Sequence, residues 1–434
     1  MAEQSKKQPE EPAFLSKEIS RRDMLKLTGA GGIGLVLGAT GAGSLLTMKN
    51  LFPEASDKTN KNETVPFYGV HQAGIATPMQ NHLYFAALDV AADSRSELID
   101  LFQDWTKAAA LMTAGKPVGE VSGNDFLPPK DTGEAEGLSA SNLTITFGVG
   151  PTFFVKDGKD RFGLKQKQPR ELKELPKFPL DALEEKWCGG DLCIQACADD
   201  AQVAFHAVRN LLRIARGKAT IRWAQAGFQR SKQADSSKGT PRNLFGFKDG
   251  TVNPDRHNPK EMNRHVWVQP GDGPNWLVNG SYLVARRIQM HIEVWDRTSL
   301  REQEATFGRY KASGAPFGQK DEFDPVDLEK KRPDGQFYIP ENSHVRLAHN
   351  DGTIKILRRS YSYADGMDPK TGSLDAGLLF MCYQRMPSRQ FVPIQARLSQ
   401  SDKLNEYIVH RGSAIFACFP GVKKGGYIGE SLLE

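Results

Sequence analysis

Apolar and polar positions alternate in a way that divides the chain into strands and helices. Residues 82–90 alternate as a half-buried strand does. Ser94 and Glu97 then have the form of a capping box, and Leu98, Leu101, Phe102, Trp105 and Met112 follow at helical spacing. Residues 142–149 alternate again. After a charged insertion over 156–186, a strand is predicted over 191–197. Asp199 or Asp200 then caps a helix carrying Val203, Ala204, Val208, Leu211 and Leu212, and 220–228 closes as a strand. The order is β-α-β twice, the pattern of a ferredoxin-like unit.

The second half repeats this order more loosely. A long strand is predicted over 282–295, and Ser299 with Glu302 opens a short helix. Strands are expected over 353–357 and 377–384, a helix over 401–408 and a last strand over 414–419. The expected fold class is therefore α+β: two ferredoxin-like (βαββαβ) units of antiparallel sheet and helices, with a bound group between them. The stretch 308–350 lacks periodicity, and long loops in compact proteins are usually functional. It is where a bound group would be gripped.

Length and charge narrow the classes. The chain has 434 residues, enough for two domains and a large core. Its net charge is +5, with basic residues scattered among acids, so no clustered basic face suggests nucleic acid. There are five cysteines. Cys188, Cys193 and Cys197 fit no common zinc spacing. Cys193 and Cys197 share one face of the strand over 191–197, where small buried thiols are expected. The odd count argues against a complete disulfide framework.

The N-terminus has its own signature. A polar tail leads into Ser20-Arg21-Arg22-Asp23-Met24-Leu25-Lys26, which matches the twin-arginine export pattern with Met24 at the usual Phe. The weakly apolar, Gly-rich run behind it makes a poor transmembrane helix. That run holds a literal G-x-G-x-x-G at 29–34, but no strand precedes it, so a dinucleotide site is rejected. The expected organisation is a tail and export signal over 1–48, a linker over 49–63, an N-terminal domain over 64–245 and a C-terminal domain over 246–434.

Three segments carry candidate chemistry. Gly246-Phe247-Lys248-Asp249-Gly250-Thr251 puts the Asp249 carboxylate on a tight turn beside apolar residues, where its proton affinity and aim can be tuned. By itself an Asp-Gly pair is also a common hairpin turn. A phosphoaspartyl reading needs a second aspartate two residues earlier, where Phe247 stands. Downstream are Ser343-His344-Val345-Arg346-Leu347-Ala348-His349 and Leu357-Arg358-Arg359-Ser360-Tyr361-Ser362-Tyr363.

Together these segments resemble the dye-decolourising (DyP-type) haem peroxidases, in particular their exported, EfeB-like branch associated with bacterial iron uptake. Supporting similarity extends from about residue 66 to 429, through 66–75, 190–200 and 308–316. The resemblance implies one haem b per chain, with His344 as axial ligand of the iron. It implies Asp249 and Arg358 as the catalytic pair on the opposite side. Gly250, Thr251 and Val252 would line the haem, with His349, Asn350 and Asp351 at its edge. Axial histidines usually hydrogen-bond a carboxylate; Glu406 is the candidate and Asp402 its rival. Arg359 competes with Arg358 for register, but on a strand it would point the other way. In some branches an Asn stands two residues after the arginine; here it is Ser360.

The implied activity is reduction of hydrogen peroxide with oxidation of a bulky aromatic, dye-like or metal reductant. Ferrous iron is the reductant the branch suggests, with an iron permease as partner. Folded export through the twin-arginine translocase would place the enzyme in the periplasm, at the cell surface or outside the cell. A homodimer is compatible with the sequence. The alternative is a haem-binding protein that releases iron from haem (deferrochelatase-like), or carries haem, without peroxidase turnover.

Overall fold

The structure, a computed structural model, describes residues 63–119, 125–231 and 240–434. The tail, the twin-arginine motif and nearly all of the linker lie outside the described residues. Among the described residues, no helix is long and apolar enough to cross a membrane.

Among the described residues, nine strands form one sheet: β1 (His82–Val90), β2 (Thr144–Val149), β3 (Leu192–Ala198), β4 (Ala219–Phe228), β5 (Ser281–Met290), β6 (Leu357–Arg358), β7 (Tyr361–Met367), β8 (Leu374–Gln384) and β9 (Ile408–Cys418). Their order is β5-β9-β2-β3-β1-β4-β7-β8-β6, and β5 also pairs with β8. That pairing closes eight strands into a barrel, with β6 continuing the line of β7 along β8. The first four strands run in the order β2-β3-β1-β4 and the later ones in the order β9-β5-β8-β7, all antiparallel. Two short seams join the halves: β2 to β9 over Gly148 and Val149, and β4 to β7 at Phe228.

The helices that matter here are α1 (Arg95–Thr113), α2 (Ala201–Ile214), α3 (Pro259–His265), α4 (Leu300–Phe307), α5 (His344–His349) and α6 (Phe391–Ser401). The expected capping box forms: Ser94 Oγ accepts from Glu97 N at 3.2 Å, and Glu97 reaches back to Asp93 N at 3.0 Å. Asp200, not Asp199, caps α2 by accepting from Gln202 N and Val203 N. Both helices cover the outer face of the first four strands. There Leu98, Leu101, Phe102 and Trp105 of α1 bury against Ile145, Phe147 and Ile194. Each such side chain contributes about 1.5–3 kcal/mol.

The alternating inner positions fill the barrel. Leu83, Phe85 and Ala87 of β1 meet Cys193, Trp223, Tyr383 and Phe416 there. Cys193 and Cys197 are free, fully buried thiols, as their shared face suggested.

Three elements depart from expectation. β5 ends at Met290, and 292–295 form a helical turn. Of 353–357 only Leu357 enters a strand, and β7 follows it. The helix expected over 401–408 lies upstream as α6, while 403–406 form a short 3₁₀ turn and β9 begins at Ile408. Pro393 stands in the first turn of α6, where a missing N–H costs nothing, so the sequence reads as a break although the helix forms.

Candidate active site

The outer face of β5 and β8 bounds an apolar cavity of about 210 Å³. Ile288, Met290, Leu378 and Phe380 form its floor, and Phe391 and Ile394 of α6 close one side. Every lining residue lies between 243 and 410, so the cavity belongs to the second half. On the other side of Asp249 and Arg358, a polar cavity is lined by residues of both halves, Met79, Gln80 and Gln229 among them. The barrel interior is filled by side chains, whereas the outer face of β5 and β8 is left for a ligand.

His344 is the first residue of α5 and lines the cavity. Its Nδ1 donates to Asp402 Oδ2 at 2.6 Å. The Asp402 side chain is 2 % exposed, and its other oxygen caps the following 3₁₀ turn by accepting from Leu404 N at 2.9 Å. With its proton fixed on Nδ1, His344 keeps the Nε2 lone pair for a metal. Glu406, the favoured carboxylate, is exposed at the end of that turn and does not line the cavity. Gly308 (φ 77°) ends α4 and permits close approach here, since a Cβ would sit 2.9 Å from Ser343 Oγ beside His344.

Asp249 and Arg358 line the same cavity, and Arg358 Nη1 donates to Asp249 Oδ1 at 2.7 Å. Register explains the arginine: β6 pairs Arg358 with Cys382 of β8, so Arg358 faces out. Arg359 points into the barrel and donates to Thr77 O and Gln80 Oε1. Phe247 anchors the Asp249 turn by stacking on Phe307 at 4.1 Å; Phe307 in turn lies 6.0 Å from the His344 ring.

Asn253 is a site residue that the sequence reading missed. Its amide exchanges two hydrogen bonds with the backbone of Arg358, Nδ2 to O at 2.9 Å and N to Oδ1 at 3.0 Å. These bonds tie the Asp249 turn to β6 across 105 residues. Its place four residues after the aspartate was the only signal.

The remaining expected residues divide. Thr251 and Val252 line the cavity. Gly250 (φ 113°) instead lines a polar cavity of about 340 Å³ behind the Asp249–Arg358 pair, with Ser360 and Arg256. Ser360 does not replace an asparagine beside Asp249, because its hydroxyl engages the Met381 backbone. His349 lines the first cavity although it lies about 140° from His344 around the helix. Burial, then the Arg309 charge, pulls its imidazole below the ordinary value and favours the neutral form. Asn350 and Asp351 are exposed and do not line the cavity, although Gly352 and Ile354 just beyond them do; Asp351 accepts from Thr353 N and Oγ1.

The donor set fits haem. A histidine with a carboxylate-fixed tautomer and a carboxylate–arginine pair share one apolar pocket. Fold and site thus define a haem-dependent peroxidase.

The comparisons agree. The N-terminal Dyp-type peroxidase model matches residues 72–229, and the C-terminal model matches 240–423. The chain therefore belongs to the Dyp-type peroxidase family. It is 40% identical over 426 residues to a deferrochelatase of Escherichia coli K12, covering 96% of this chain and 97% of that one. Among solved structures it is similar to DtpA from Streptomyces lividans, described as an oxyferrous/water mixed complex (TM-score 0.80, 40% identity, 86% of this chain and 98% of that one). A DyP-type peroxidase from Streptomyces coelicolor matches equally (TM-score 0.80, 40% identity, 86% and 98%).

Proposed function

We propose that the chain is an exported peroxidase holding one haem b at His344, which reduces hydrogen peroxide and oxidises a bulky organic reductant or ferrous iron. The observation that carries this reading is the sharing of one apolar cavity by the His344–Asp402 and Asp249–Arg358 pairs. Haem held by His344 would supply the two-electron redox chemistry that links peroxide to the reductant.

The protein side of the reaction is proton handling. The Asp249 carboxylate takes the proton from one peroxide oxygen and returns it to the other, so the O–O bond breaks and water leaves. The Arg358 guanidinium, a permanent charge, stabilises the negative charge that builds on the departing oxygen. Ile288, Met290, Leu378 and Phe380 keep the pocket apolar, which strengthens both effects. Asp402 keeps His344 in the ligating tautomer.

Its finer features rest on the resemblance. The two four-strand halves read as ferredoxin-like units that divide near residue 245. Ferrous iron as reductant, a permease partner, a homodimer and twin-arginine export in folded form go with the iron-uptake branch. Among the described residues, no group of three or more His, Cys, Asp or Glu is arranged to hold a metal ion.

The test is stopped-flow mixing of haem-loaded protein with peroxide and a dye. Rapid consumption is expected, reduced about 10²- to 10⁴-fold in Asp249→Asn. Unchanged consumption would remove Asp249 from the reaction. A second reading, iron release from haem, is favoured by the deferrochelatase relatives.

A further inference from the structure

The Asp249 turn is held at both ends by one distant side chain. Glu322 lies in the segment between α4 and α5 and is 7 % exposed. Its Oε2 pairs with Lys248 Nζ, and its Oε1 accepts from Thr251 Oγ1 at 3.1 Å. Lys248 and Thr251 flank Asp249 and Gly250, so the two carboxylate oxygens straddle the turn. Burial pushes the Glu322 carboxyl up, but hydrogen bonds from Lys248, Thr240 and Thr251 and the Lys248 charge hold it below the usual carboxylate range.

Glu322 is itself fixed. The buried Arg309 donates to Glu322 O at 3.1 Å and to Gly314 O at 2.7 Å. The Lys248 stem lies across Gly314 (φ 80°), where a Cβ would sit 2.6 Å from Lys248 Cδ. Arg242 closes the other side, donating to Gly246 O at 2.7 Å and to Ala312 O at 2.8 Å. The segment 309–322 therefore grips 246–251 through both side chains and backbone.

We infer that Glu322 is a positioning residue: it sets the aim of the Asp249 carboxylate toward the cavity without touching peroxide. This rests on the reading of Asp249 as the proton-transfer group. Without Glu322, Lys248 and Thr251 lose their shared anchor beside Asp249, while the Pro241, Asn253, Arg242 and Phe307 contacts and the Arg358 pair remain. A displacement of about 1 Å costs up to about 100-fold in rate.

The experiment is a double-mutant cycle on haem-loaded protein, with peroxide consumption as readout and Glu322→Gln beside Glu322→Ala. Glu322→Ala is expected to slow the peroxide step about 10- to 100-fold in the parent and less than about twofold in Asp249→Asn, since residues acting through each other are not additive. Glu322→Gln keeps the Thr251 bond and should fall between. Equal cost in both backgrounds overturns the inference. Deuterium exchange of the peptide spanning 247–252 gives a separate reading, with and without haem. Faster exchange in Glu322→Ala is expected, and unchanged exchange overturns the inference by itself. If Asp249→Asn alone costs nothing, the acid–base reading fails, while exchange still decides whether Glu322 holds the turn.

Discussion

His344 donates its Nδ1 proton to Asp402 across 2.6 Å, and Asp402 is almost fully buried. A carboxylate so placed gives the imidazole partial anionic character and fixes its tautomer. Asp402→Asn should weaken haem retention about 10- to 100-fold and raise the reduction potential, whereas Glu406→Gln should change neither. Haem titration and potentiometry check this; equal effects of the two changes would contradict the pairing.

Arg358 depends on Asn253. Asn253→Ala leaves the half-buried N–H and C=O of Arg358 each short of a partner, at about 1–3 kcal/mol of stability. The freed β6 end should also lower the peroxide rate about tenfold or more. Thermal unfolding and stopped-flow measure the two effects. Asn253→Asp, which keeps only the acceptor, should recover part of both.

Acid should destabilise the fold through His410. Burial, then the Arg286 charge, lowers its imidazole from 6.5 to about 3, and among the described residues its Nδ1 has no hydrogen-bond partner. As pH falls below about 6.5 the unfolded chain takes a proton that the folded chain refuses. Stability is present in full above that pH and declines toward pH 3, by about 2 kcal/mol near pH 5. Denaturant midpoints between pH 7 and 4.5 should fall less steeply in His410→Gln. An identical slope would remove His410 as the cause.

Peroxidase turnover and iron release differ in product. Under peroxide and dye the haem absorption should persist through many turnovers, without the fluorescence of metal-free porphyrin. Stoichiometric growth of that fluorescence, without dye oxidation, would favour the deferrochelatase-like reading.

Much of the fold follows from local pattern. The strand over 82–90 and the Ser94 cap are as expected, because burial on one face imposes a period that the residues carry themselves. α6 was hidden by Pro393, and β7 by its exposed polar end, Ala364-Asp365-Gly366. Family motifs brought His344, Asp249 and Arg358 together, and the structure sets them around one cavity. Their supports were not legible. Asp402 and Glu406 are four residues apart, and only the 3₁₀ turn between them decides which one faces the histidine. Glu322 and Asn253 act across long separations that no local period encodes.

We propose that His344 holds haem in the cavity lined by Asp249 and Arg358. The most direct measurement is the absorption spectrum of haem-reconstituted protein, parent against His344→Ala. A Soret band typical of histidine-ligated haem is expected in the parent, lost in His344→Ala and partly restored by added imidazole. A Soret band unchanged by His344→Ala would contradict the account.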